Sequence, residues 1–124
     1  MPTLIACLST GKGTWGEVSK IMQSQPWQKV FLITNSFGKE NFTSMPSSAE
    51  LVVVNFFQET PSLVEDIKKQ LQGKISDFEV ALNIASGSGK EHMAVLEAVM
   101  ELGLNFRVVT LKNNQYEVLG LTQR

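Results

Sequence analysis

The chain has 124 residues, 43% of them apolar, and eleven basic against twelve acidic side chains leave a formal charge of −1. This length suits one domain, residues 1–124, with enough apolar side chains for a core. The balanced charge excludes the broad basic surface that grips duplex DNA, so an anionic ligand needs a local site. One histidine and one cysteine argue against a zinc site, since the usual nitrogen and sulfur ligands are missing, and rule out an intramolecular disulfide. No metal and no cofactor are expected. No apolar run approaches the roughly 18–20 residues of a membrane span, and Met1-Pro2-Thr3 carries no basic region leading into a signal sequence. The expectation is a cytoplasmic protein with no membrane partner.

In chain order, residues 3–9, 29–34, 51–57 and 78–84 are short apolar runs of the kind that parallel sheets bury on both faces. Cys7, inside the first, reads as a small hydrophobic residue. Thr14-Trp15-Gly16-Glu17 reads as a capping box, and Val18, Ile21 and Met22 then share one face of a helix ending near Gln25-Pro26. Residues 35–48 form a longer polar stretch, read as irregular and mobile. Pro61 opens a second helix with Leu63, Val64, Ile67 and Leu71 as its stripe and Gly73 as its stop. A third helix over residues 90–102 carries Met93, Val95, Leu96, Val99, Met100 and Leu102, a surface wide enough to predict the most buried helix, ended by Gly103. Residues 105–112 and 116–121 read as two antiparallel strands around Asn113-Asn114-Gln115, residues suited to positive φ. The order β-α-β-β-α-β-α-β-β defines an α/β, Rossmann-like three-layer sandwich, mostly parallel, with a C-terminal antiparallel hairpin.

In such sheets ligands bind beyond the carboxyl ends of the strands, which directs attention to two loops. One is Ser9-Thr10-Gly11-Lys12-Gly13-Thr14, the other Ala85-Ser86-Gly87-Ser88-Gly89-Lys90. Each combines glycines that let backbone N–H groups approach a ligand, hydroxyls, one lysine and a following helix N-terminus. Either loop alone is equally a tight turn with its lysine in water; two in one small chain favour a phosphate-binding site. A nucleoside triphosphatase loop does not fit, because Glu91 follows Gly89-Lys90 and Ile84 stands where a first glycine belongs. Gly11, Gly13 and Gly16 give a GxGxxG spacing, but Thr34-Asn35-Ser36 ends the second strand without the acid that would hold a ribose. Trp15 is either a base-stacking surface or core packing, and Trp27 reads as structural. His92 is either an acid–base group or a surface histidine. Asn83 is placed to orient the second loop, and Lys39 and Glu40 read as solvated.

This arrangement resembles the CRISPR-associated Rossmann fold (CARF) family, which senses cyclic oligoadenylates made by type III CRISPR complexes. The resemblance extends over nearly the whole chain: Leu8-Ser9-Thr10 before a helix, residues 28–34, residues 50–56 leading to the Pro61 helix, and above all residues 80–90 with Met93 beyond. There the family commonly has Asn-Ile-Thr-Gly-Gly-Thr-Lys-x-Met. This chain has Ala-Ser-Gly-Ser-Gly between Asn83-Ile84 and Lys90, and two residues before Met93, so its loop is slightly longer. Nothing in these 124 residues corresponds to the C-terminal effector domain that family members usually have, so a stand-alone member is expected. The resemblance implies a homodimer whose shared pocket binds a cyclic oligoadenylate or another phosphate-bearing nucleotide, with an effector protein acting in trans. Ser9, Thr10, Gly11, Lys12, Gly13, Asn83, Ser86, Gly87, Ser88, Gly89 and Lys90 would form the binding site. Some stand-alone members cleave the ring without metal by attack of a ribose hydroxyl; in such a ring nuclease Ser9 would position the ribose and Lys90 would stabilise the developing charge. Outside the family, the alternative is a subunit or binding protein for a mononucleotide or sugar phosphate.

Overall fold

Residues 3–8, 14–42, 45–77 and 79–119 are described in a computed structural model of the chain. The strands are β1 (Thr3–Leu8), β2 (Lys29–Thr34), β3 (Ala49–Val53), β4 (Glu79–Asn83), β5 (Asn105–Lys112) and β6 (Gln115–Val118). The helices are α1 (Trp15–Ser24), α2 (Ser36–Asn41), α3 (Thr60–Leu71) and α4 (Gly89–Glu101). One six-stranded sheet runs in the order β3-β2-β1-β4-β5-β6. All pairings are parallel except the hairpin between β5 and β6. The fold is therefore a Rossmann-like α/β sandwich with a mostly parallel sheet.

Alternation along the strands sorts the core into two halves. Ile5, Cys7, Phe31, Ile33 and Leu82 face α3 and α4, meeting Leu63, Ile67, Val95 and Val99. Leu4, Ala6, Leu8, Val30 and Leu32 face the other way, toward Trp15, Val18, Ile21 and Met22 of α1. All six residues of β1 are buried, as a strand covered by helices on both faces requires.

Several sequence expectations need correction. The stretch read as irregular contains α2. Asn35 caps it by accepting a hydrogen bond from the Gly38 N–H at 3.0 Å, and Phe37 and Phe42 pack around Trp15 at ring separations of 5.9 and 5.6 Å. Gly38 is buried where a Cβ would collide with Thr34 Oγ1. Packing and a cap, rather than propensity, make this single short helix. The third strand ends at Val53: Val54 donates a last bond to the Thr34 carbonyl, and Asn55 then turns the chain by accepting from the Phe57 N–H. At α1, Thr14 makes no side-chain capping bond, so the capping box expected there is absent. The strand expected over residues 116–121 spans Gln115–Val118, and residues 120–124 lie outside the described ones. Asn113 and Asn114, with φ of 54° and 63°, form the two-residue turn, while Gln115 already pairs with Lys112.

The largest departure concerns α4. Ala94, Val95, Ala98 and Val99 are buried, but Met93 and Met100 are 59% and 54% exposed. Small residues bring this helix close to the sheet, and its apolar surface continues round onto an open face. Trp27, as expected, is structural: its Nε1 donates to the Ile21 carbonyl at 3.0 Å, and its ring meets Tyr116 edge-on. No described helix is long and apolar enough to cross a membrane.

Cys7 lies fully within the core; burial pushes its thiol up to about 12, with the negative charge of Glu91 adding to the effect. The folded state holds this proton where the unfolded thiol, ionising near 9, has released it. Stability should therefore fall as pH rises from about 9 toward about 12. Denaturant melts across this range should show a steeper fall than in the Cys7→Ala variant, which keeps only the smaller fall from the Tyr116 phenol, itself held up by burial; equal slopes in both proteins would contradict the assignment.

Candidate functional site

The chain leaves β1 toward the face covered by α1 and leaves β4 toward the face covered by α4. Because β1 and β4 are adjacent, this divergence is the switch point at which open parallel sheets hold ligands. The first candidate loop, with Ser9, Thr10, Gly11, Lys12 and Gly13, lies outside the described residues. The second is described throughout.

Asn83 is 2% exposed. Its Nδ2 donates to the Val109 carbonyl at 2.8 Å, and its Oδ1 accepts from the Ala85 N–H at 3.3 Å. One amide thus ties the end of β4 to β5 and starts the loop, so Asn83 orients the loop from beneath. Ser86 is fully buried. Its carbonyl accepts a hydrogen bond from His92 Nε2 at 3.0 Å, which requires the tautomer protonated on that nitrogen. His92 is thereby a latch on the loop. Gly87 has φ of +110°, and a Cβ there would lie 3.0 Å from Glu91 Oε1 and 3.1 Å from His92 Nε2. Only glycine meets both conditions.

Ser88 caps α4, and its N–H donates to Glu91 Oε1 at 3.0 Å. The pattern Ser-x-x-Glu is the sequence signal for this pairing; the Ser88 and Glu91 pair is where the structure uses it. Gly89 opens the helix with nothing near the position of a Cβ, so the backbone there is approachable. Lys90 follows in the first turn, half-buried, and its ammonium has no hydrogen-bond or ion-pair partner among the described residues. An unneutralised cation thus stands beside the positive end of the helix dipole.

Trp15 is 9% exposed within an aromatic cluster, which favours packing over base stacking. Lys39 and Glu40 are exposed, as expected. No group of three or more histidine, cysteine, aspartate or glutamate side chains suited to a metal ion occurs among the described residues. The residues missed by sequence reasoning are Glu91 and the latching role of His92.

The fold and the position of the loop between β4 and α4 define a Rossmann-like α/β protein with a candidate anion site at its switch point. No family model matches the chain, and no curated protein matches it. Among solved structures it is similar to Can2 from Sulfobacillus thermosulfidooxidans, in complex with cyclic tetra-adenylate, with a TM-score of 0.59 and 18% identity. The likeness covers 97% of this chain and 37% of Can2, so the chain spans little more than a third of that protein's length.

Asn83→Leu keeps the branched shape but leaves the Val109 carbonyl without the Asn83 donor and frees the Ala85 N–H. A loss of about 1–3 kcal/mol is expected in urea unfolding, with faster amide exchange at Ala85. Unchanged stability and exchange would refute the anchoring role.

Proposed function

We propose that this chain is a CARF-like sensor of type III CRISPR signalling that binds a cyclic oligoadenylate at the β1/β4 switch point. The observation that carries this reading is the Lys90 ammonium, without a partner among the described residues, beside the open backbone at Gly89 in the first turn of α4. The fold likeness to Can2, solved in complex with cyclic tetra-adenylate, supports a CARF-like fold. In this reading Lys90 and the N–H groups of Gly89 and Lys90 face phosphates, and Ser9, Thr10, Gly11, Lys12 and Gly13 close the other side. Asn83 and Ser86, both buried, shape the loop.

A cyclic, symmetric ligand is best matched by two copies of the chain about a two-fold axis. The pairing surface we assign is the groove of ≈ 640 Å³ between α3 and α4, where Pro61, Val64, Met93, Leu96 and Met100 present apolar surface. It begins one turn beyond Lys90, and in this reading the two-fold axis passes near that end of α4, so that the two loops meet. At its rim Lys68 bridges Glu65 and Glu101 at 3.3 and 2.8 Å. This partly neutralises the acidic edge that two copies would bring together.

Calorimetric titration with cyclic tetra-adenylate should show binding that Lys90→Ala weakens by roughly ten- to a hundredfold, as loss of one charged hydrogen bond of about 1.5–3 kcal/mol implies. Circular dichroism should be unchanged. Affinity equal to wild type would move the phosphate site elsewhere. In sedimentation the chain should be a dimer that Met93→Glu dissociates; a monomer with and without ligand would sink the shared pocket. Chromatography of the same mixtures distinguishes sensing from ring cleavage, since only cleavage yields linear products.

A further inference from the structure

A second cavity, of ≈ 420 Å³, opens at the carboxyl ends of β2 and β3. Asn35, Ser36, Asn55 and Asp66 supply its polar lining, and Phe57 stands at its mouth. Phe57 is 92% exposed, far more than any other large apolar side chain among the described residues. Its ring is presented by a held backbone. Asn55 Oδ1 accepts from the Phe57 N–H at 2.9 Å, and the Gln58 N–H donates to the Asn55 carbonyl at 3.3 Å. This is an Asx turn, which fixes the tip without help from the ring itself.

Behind the ring the polar groups are organised. Asp66 accepts from Gln58 Nε2 at 3.3 Å and from Gln70 Nε2 at 3.0 Å, and Gln70 also donates to the Val53 carbonyl at 3.0 Å. These bonds leave Asn55 Nδ2 and Ser36 Oγ without partners among the described residues. One aromatic wall and an edge of amide, hydroxyl and carboxylate groups suit a flat ring with apolar faces and a rim of donors and acceptors.

We propose that this cavity receives a purine base, with Phe57 stacked on one face and the Asn55 amide and Ser36 hydroxyl reading its edge. Asparagine amides match the paired donor and acceptor of adenine, and stacking on an aromatic side chain is a general means of holding a base. The identification of the base as an adenine of the bound ring rests on the function proposed above. In the sheet, β2 and β3 lie two and three strands from β4, about 10 and 15 Å away. That is the span from a phosphate at the β4 loop to a base carried outward from the same ring.

The test uses cyclic tetra-adenylate in which one adenine is replaced by fluorescent 2,6-diaminopurine, which keeps the 6-amino group and N7, titrated into the full chain and its variants. Phe57→Leu keeps apolar bulk without a π face; it should weaken binding roughly tenfold or more and relieve the quenching that stacking produces. Phe57→Trp should keep both. Lys90→Ala should weaken binding yet reach the same quenching at saturation, which separates the base site from the phosphate site. Wild-type affinity and quenching in Phe57→Leu would overturn the proposal. So would a Phe57→Leu variant that loses only self-association, for then the ring is a protein contact. If wild type binds no cyclic oligoadenylate, the sensor reading fails, and the cavity is judged by titrating Phe57→Trp with adenosine. The added indole emission of that variant, read as its difference from wild type, then decides: quenching upholds a base site and unaltered emission rejects it.

Discussion

β1 is buried along its whole length between two parallel neighbours, and the connections around it leave for opposite faces of the sheet. A strand in that position cannot shift by one residue without turning Leu4, Ala6 and Leu8 away from α1 and Ile5 and Cys7 away from α3 and α4. Its register therefore fixes where α1 and α4 begin. The candidate site follows from this constraint, since the gap between diverging connections is where loop backbone is released from the ladder yet still held by rigid elements.

Asn83 extends the constraint into the loop. A polar side chain buried at the end of a strand must satisfy its own groups, and this one does so on the neighbouring strand and on the next turn of backbone. His92 then holds the loop from the helix side through the Ser86 carbonyl. Between these anchors Gly87 takes a conformation closed to other residues, and Lys90 emerges with no ion-pair partner among the described residues. The cation stands on a braced support rather than on a free tip.

Much of this was legible beforehand. The apolar run at residues 29–34 coincides with β2, because buried parallel strands need uninterrupted apolar residues and little else does, and the strand-like residues 105–112 coincide with β5. Pro61 marked the start of α3, and the two asparagines marked the hairpin turn. What escaped reading depended on partners distant in sequence. α2 exists because Phe37 and Phe42 find Trp15, and no local pattern announces that meeting. The breadth of the apolar surface on α4 was visible, but not that Ala94 and Ala98 would take the contact with the sheet and leave Met93 and Met100 outside. At the site, Asn83 and the glycine-rich loop were readable from residue type. The hold of Glu91 had a signal in the spacing Ser88-x-x-Glu91 that went unread, whereas the hold of His92 had none, for it required the loop to fold back over the first turn of α4.

The bond from the Ser88 N–H to Glu91 has a consequence for any anion that approaches. The helix entrance already contains a carboxylate, a placeholder occupying part of the ground a phosphate would claim. To take the Ser88 N–H, a ligand must evict that group, so the gain is an exchange of one anion for another rather than the filling of bare donors. Glu91 also lies in the same turn as Lys90 and sets its own negative charge against any newcomer. A small free phosphate gains little from such an exchange. A ligand with several phosphates and further contacts across the sheet can offset the eviction, so at the proposed site the placeholder would favour such a ligand over simple free anions.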